Sequence, residues 1–464
     1  MSVQSAIMVP HPPLIIPQVG RGQEKQIQKT INAYGKAAAF IVSQVPETIV
    51  LLTPHSVLYA DYFHLSPGNE AAGNMAAFRA GEVKLSVAYD APFVTELARR
   101  AGAEGLRAGT LGERDKALDH ASMVPLFFLR QAFGGEIPCK IVRIGLSGLP
   151  LTDHYRLGML IRDTAEALGK QVAVVASGDL SHRLKEDGPY GLSPEGPVYD
   201  ERIMDVMGHG DFLSLLRFDP DFCESAGECG HRSFTIMAGC FDGQGVRAER
   251  LSYEGPFGVG YGVCTYLPTG PDKNRTFLDK YRSEEQQAAE DRRRAEDPYV
   301  ALARQTLEKY VTSGETIPVP EGLPGEMTGG RAGVFVSLKK HGQLRGCIGT
   351  ISATAGSIAQ EIIQNAVSAG TQDPRFDPVE PEELDELVYS VDVLGNAEDI
   401  GSPEALDPRR YGVIVTAGRR RGLLLPNLPG IDTVKEQIAI ARRKAGIRDG
   451  EPVTLQRFEV VRHQ

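Results

Sequence analysis

The six cysteines of this 464-residue sequence include no C-x-x-C pair. That removes the spacing of a zinc ribbon or a thioredoxin-like redox motif and leaves reduced thiols as the expectation. Basic charge is also short: 50 Lys and Arg stand against 60 Asp and Glu, a formal net charge of -10. Non-specific nucleic-acid binding needs a basic face that displaces counterions, so this balance speaks against a nucleic-acid partner. No apolar run reaches the length of a membrane span, and the N-terminus shows no basic stretch followed by an apolar one. A cytoplasmic protein without membrane attachment is therefore expected. No internal repeat relates the two halves. What is present is an ordinary globular composition, 42% hydrophobic and 24% charged, sufficient for packed cores. The length predicts two domains; it leaves the oligomeric state open, a homo-oligomer included.

The run from Asp272 to Asp297 contains S-E-E-Q-Q-A-A-E-D-R-R-R-A-E-D and carries no apolar stripe. It reads as a solvated helix or a flexible linker. A charged linker is accordingly placed at residues 269–296, between a first domain of residues 1–268 and a second of residues 297–464. In the first, continuous apolar runs (Ile49–Leu52, Lys140–Ile144, Val172–Ala176) alternate with helix-like segments (Ala91–Ala101, Asp119–Phe133, Asp153–Leu168, Glu195–Met207). That alternation predicts an α/β domain with a mainly parallel central sheet. Val246–Tyr253 and Val259–Leu267 read as a closing antiparallel pair. In the second, strands and helices mix without βαβ alternation, which predicts a smaller α+β domain.

Two strand-like runs end alike. Ala6–Pro13 reads A-I-M-V-P-H-P-P, and Thr48–Ser56 reads T-I-V-L-L-T-P-H-S. Proline lacks the N–H that a central ladder needs, so Pro10 and Pro54 stop their strands and leave His11 and His55 at the strand ends. Ligands of open α/β sheets bind beyond those carboxyl ends. A third run, V-A-V-V-A-S-G-D-L-S-H, delivers Asp179 and His182 just past its end. Two neutral imidazoles and one anionic ligand suit non-haem Fe(II), and zinc accepts such a set too. His64 and His154 fall outside any motif and read as solvated. G-P-F-G-V-G-Y-G lacks the following helix that a dinucleotide fingerprint requires, and Glu254 beside it reads as a turn carboxylate.

Together with L-D-H-A-S, these motifs resemble, in order, the catalytic subunit of class III extradiol ring-cleavage dioxygenases and the related Memo-like proteins, over roughly residues 1–268. The resemblance implies an α/β fold with Fe(II) held by two His and one Glu, and a further His as acid/base. It places His11 and His55 as ligands, His182 as acid/base, His120 at another active-site His position and Asp179 at the Memo-like acid. The third ligand is where the sequence departs: A-G-E-C-G-H offers Glu228 and Cys229 side by side. Glu228 would complete the oxygenase triad; Cys229 would give a softer site, suited to Zn or Cu. The activity implied is oxidation of a small aromatic diol by metal-bound dioxygen.

Q-L-R-G-C-I-G-T at Gln343–Thr350, with D-P-R-F-D-P-V, S-V-D-V-L and G-L-L-L-P further on, resembles the AMMECR domain family over roughly residues 297–464. Arg345, Gly346, Cys347 and Gly349 form a candidate site there; the bland reading of Cys347 is a small residue packed in a strand or turn. Arg419–Arg421 read as a solvated turn in a hairpin. AMMECR and Memo-like proteins accompany a radical S-adenosylmethionine protein in some bacteria and archaea, so the resemblance also implies that partner. A second reading follows, of a metal-binding accessory protein with no turnover of its own.

Overall fold

The computed structural model describes residues 2–340, 342–428 and 430–464. The chain divides into two compact units, Met1–Glu284 and Glu285–Gln464.

In the first unit six strands form one sheet: β1 (Val3–Val9), β2 (Thr48–Thr53), β3 (Lys140–Gly145), β4 (Val172–Ser177), β5 (Gln244–Glu254) and β6 (Tyr261–Pro271). Their spatial order is β3-β2-β4-β1-β6-β5. The first four run parallel, and β6 and β5 close the sheet antiparallel. Every residue of β2 and β4 is buried, as continuous apolar runs require when both sheet faces are covered. Alternate residues feed two clusters. Met8, Val50, Leu52 and Val174 face one side; Ile7, Ile49, Leu51 and Val175 face the other. Helices α1 (Gln28–Ser43) and α2 (His120–Ala132) pack on the second side. Helices α3 (Leu151–Ala167) and α4 (His231–Gly239) pack on the first. Two glycines let α3 and α4 touch. A Cβ at Gly158 would lie 2.0 Å from the Ile236 carbonyl oxygen, and one at Gly239 would lie 2.0 Å from that of Tyr155. A hairpin, Glu70–Met75 with Ala80–Ala88, adds Ala71, Met75, Val83, Leu85 and Val87 to the second cluster.

The charged stretch is helical from Phe277 to Ala295, with only Phe277 and Leu278 buried among its described residues. The unit boundary falls inside this helix. The second unit holds two four-stranded antiparallel sheets. The sheet containing Val334–Lys340 and Gln343–Gly349 packs under helices Pro298–Ser313 and Ile358–Thr371, around Val336, Leu338, Leu307, Ile362 and Ala366. Among the described residues, no helix is long and apolar enough to cross a membrane.

Candidate metal centre

Because the spatial order runs β2-β4-β1, the three strands that end in candidate residues are neighbours. His11 follows β1, His55 follows β2, and Ser177 ends β4 with Asp179 two residues on. One side-chain atom each from His11, His55 and His120 lies within 4.8 Å of the others, an arrangement able to hold a metal ion. The Nε2 atoms of His55 and His11 are 3.1 Å apart. His11 is buried, His120 half-buried and His55 open to solvent, so the cluster has one accessible side.

Each imidazole is positioned by a traceable contact. The Ser177 hydroxyl donates to the Ala121 carbonyl at 2.7 Å. Its single proton being committed there, Ser177 Oγ accepts from His11 Nδ1 at 3.0 Å. That fixes the proton on Nδ1 and leaves the Nε2 lone pair facing the cluster, the tautomer that a metal ligand needs. The His11 backbone N–H donates to Asp179 Oδ1 at 2.7 Å. Asp119 caps α2 by accepting from the Ser122 N–H at 2.9 Å and also accepts from Thr53 Oγ1 at 2.7 Å. The end of β2 and the start of α2 are thereby tied, which draws His55 and His120 together with ring centroids 4.4 Å apart.

Burial, reinforced by the neighbouring imidazoles, holds His11 well below the ordinary histidine range. Burial likewise pushes His120 and His182 down to about 4. These rings are neutral at pH 7 and offer lone pairs rather than charge. Asp179 is pushed up to about 7 by burial, against the His11 N–H that favours its ionised form. The His182 ring stacks on Tyr190, centroids 5.1 Å apart, and lies within electrostatic reach of both His11 and His55.

Glu228 and Cys229 part company. The Cys229 thiol is 3.5 Å from His11 Nε2 and accepts from the Asp179 N–H at 3.3 Å. The Glu228 carboxylate turns the other way and accepts from the His231 N–H at 2.6 Å, at the start of α4. The backbones meet at two glycines: a Cβ on Gly178 would lie 2.1 Å from the Gly230 Cα. Glu254 is also occupied elsewhere, accepting from the Thr30 N–H and hydroxyl at 2.8 Å in α1.

The expectation that His64 and His154 are solvated is corrected: both are buried. His154 is kept inside by hydrogen bonds that replace water, Nδ1 with the Pro150 carbonyl at 3.0 Å and Nε2 accepting from the Ser147 N–H, and its ring packs edge-on to Phe63. His64 is drawn in by pairing of its two-residue strand Phe63–His64 with Ala108–Gly109.

In the second unit, the L-R-G-C-I-G motif lies on strand Gln343–Gly349. Arg345 forks onto Glu383 at 3.0 and 2.8 Å and reaches the Asp377 carbonyl. The glycines permit close approach: a Cβ at Gly346 would lie 2.1 Å from the Ala369 carbonyl oxygen, and one at Gly349 would lie 2.3 Å from the Phe335 ring. Cys347 is half-buried; its thiol accepts from the Ser337 hydroxyl at 3.1 Å and its N–H donates to Asp373 at 2.9 Å. Three of the four motif residues thus brace the strand, and the thiol is what the motif presents. Arg420 pairs with Glu451 beyond the hairpin turn.

Residues 5–264 match the family model of the catalytic LigB subunit of aromatic ring-opening dioxygenase, and residues 300–463 match that of AMMECR1. Protein CA_C1420 of Clostridium acetobutylicum is 40% identical over 474 residues, spanning 100% of each chain. A protein of Thermotoga maritima is 50% identical over 171 residues, 36% of this chain and 98% of its own. The crystal structure of PH0010 from Pyrococcus horikoshii is 34% identical, with a TM-score of 0.33 over 35% of this chain and 88% of that one.

Proposed function

The chain belongs to the family of the catalytic LigB subunit of aromatic ring-opening dioxygenases, fused to an AMMECR1 domain, and from that premise we propose that its first domain is a metal-dependent oxidoreductase acting on an aromatic diol-like small molecule. The observation that carries the reading is the convergence of His11, His55 and His120 beyond adjacent strands, with Ser177 setting the His11 tautomer. The residues fit a divalent metal: neutral imidazoles hold it and one open side remains for substrate. Fe(II) bound there would supply the redox chemistry with dioxygen. The chain's own residues do the rest. His11 and His55 would hold the metal through Nε2, with His120 completing the imidazole set. His182, neutral and stacked on Tyr190, takes the proton from a substrate hydroxyl at a ring nitrogen. Asp179 pins the backbone of His11 and so the direction in which its ring faces the imidazole cluster.

The test is anaerobic purification with metal analysis of the wild type beside His11→Ala, His55→Ala, His120→Ala, Cys229→Ala and Glu228→Gln, then oxygen uptake with a catechol panel. Near-stoichiometric iron, lost in the His variants and kept in Glu228→Gln, with oxygen uptake on a catechol, is the expected result. A wild type that takes no metal even after reconstitution overturns it.

One observation favours a second reading. Of the two residues offered as third ligand, the Glu228 carboxylate turns to α4 while the Cys229 thiol stands beside His11. A softer centre of this kind fits a metal-binding accessory of a radical S-adenosylmethionine enzyme, with zinc or copper in place of iron. Metal lost in Cys229→Ala, no oxygen uptake on any catechol, and co-purification of that enzyme would together select it. In either reading the AMMECR1 domain keeps its own ligand or partner at high effective concentration near the first domain.

A further inference from the structure

Two aromatic rings with no part in the proton or metal chemistry touch imidazoles of the site. Phe78 comes from the turn of the hairpin at residues 70–88, and its ring meets His120 edge-on, centroids 5.4 Å apart at 63°. Tyr190 comes from the loop at residues 183–193, and its ring lies over His182, centroids 5.1 Å apart at 27°. Each keeps surface free beyond its imidazole: Phe78 is half-buried and Tyr190 is 63% exposed.

Both segments are braced. Arg79, directly after Phe78, is left-handed at φ 61°, and its carbonyl accepts from Arg21 Nη2 at 3.1 Å; Arg21 is left-handed as well, at φ 49°. Residues with a Cβ stay in that region only where their surroundings over-determine it, and such strain collects at ligand sites. The Tyr190 loop is closed by the Ser193 N–H, which donates to the Arg183 carbonyl at 3.0 Å. It is pinned to the turn between β5 and β6, where the Leu184 N–H donates to the Gly258 carbonyl at 3.1 Å and Lys185 Nζ to the Pro256 carbonyl at 2.7 Å. Gly188 lies against the same turn: a Cβ on Gly258 would stand 3.1 Å from its Cα. Tyr190 owes its place to this bracing and not to burial of its own ring.

We propose that Phe78 and Tyr190 are specificity-determining residues that hold the flat ring of an aromatic substrate beside the imidazole cluster, with its hydroxyls facing the imidazoles. The selection rests on the reading of the first domain as a metal-dependent oxidoreductase, and it makes a planar ring, beyond the two hydroxyls, the feature recognised. Aromatic pairs gain from edge and offset-face contact in addition to the area they bury. A chelator or diol without a ring reaches the same centre and gains nothing from either side chain. The Tyr190 hydroxyl has no part in this contact, so phenylalanine serves equally at that position.

Anaerobic titration of the full chain, reconstituted with Fe(II), compares two probes: 4-nitrocatechol, and acetohydroxamate, which chelates through two oxygens but carries no ring. In Phe78→Ala and in Tyr190→Ala the affinity for 4-nitrocatechol is expected to fall by about threefold to tenfold while that for acetohydroxamate stays at the wild-type value. Tyr190→Phe is expected to match the wild type. Phe78 also packs on the second core cluster, so Tyr190→Ala is the cleaner variant, and unchanged acetohydroxamate binding reports an intact centre. Unchanged 4-nitrocatechol binding in Tyr190→Ala, or equal losses for the two probes, overturns the proposal. A wild type that binds acetohydroxamate but not 4-nitrocatechol overturns it too and leaves the metal centre standing; one that binds neither ends both. The expected variant pattern without oxygen uptake on any catechol supports ring recognition and ends the dioxygenase reading alone.

Discussion

At the scale of single residues, the most informative atom is Ser177 Oγ, which has one proton and gives it away from the cluster. Ser177→Ala removes the acceptor that holds the His11 tautomer, so metal affinity is expected to fall about 10–100-fold, with the fold retained; competition against a chelator reads it. Glu228→Gln is expected to keep the metal yet cost about 1 kcal/mol of stability, because it weakens the bond to the first N–H of α4; thermal unfolding beside metal analysis separates the two effects. His11 and His55 were legible because Pro-His after an apolar run has one structural meaning. Ser177 was not, since the partners that give it a role come from β1 and α2, far along the chain. Glu228 and Cys229 were inseparable in sequence: adjacent turn residues point apart, and which faced the imidazoles was decided by an N–H in the following helix. His154 was misread for a related reason, its hydration being replaced by backbone groups that no motif announces.

At the scale of elements, the fold's tolerances lie where backbones touch. Gly158→Ala puts a methyl into the Ile236 carbonyl, and overpacking of this kind typically costs about 1–3 kcal/mol; a lower urea midpoint with unchanged slope is the expected outcome. The helix Glu195–His209 is tied to the sheet edge through Asp200, which accepts from the Ser181 N–H at 2.8 Å and the Tyr253 hydroxyl at 2.7 Å. Burial raises its carboxyl from 3.8 to about 7. The folded state therefore keeps a proton that the unfolded chain has released across that window. This contribution to stability is complete below about pH 4 and is lost as pH rises to about 7. Asp200→Asn is expected to remove that slope, read as the difference between the two proteins' melting temperatures from pH 4 to 8. The buried strands were legible as elements because every position is apolar. α1 and the hairpin Glu70–Ala88 were not. α1 buries Thr30, Ala33, Tyr34, Ala37, Ala38 and Ile41, a helical stripe whose commonest residue is alanine and so a weak apolar signal, and the first hairpin strand reads E-A-A-G-N-M.

At the scale of the whole molecule, each unit owns its core, built around Val50 and Ile49 in the first and Val336 and Ile362 in the second. Calorimetry is expected to show two transitions, and chelation to lower only the one belonging to Met1–Glu284, by about 2.7 kcal/mol for metal at a hundredfold excess over its Kd. The contact between Gly178 and Gly230 bears on how such a chain can change over generations. Two segments distant in sequence share one point in space where neither has room for a methyl group. Neither can drift alone: a substitution at one glycine displaces the other's loop, and with it either Asp179 or Cys229. The two motifs are thus inherited as one unit, and variants that alter the chemistry at Cys229 are to be sought among changes that leave both glycines in place.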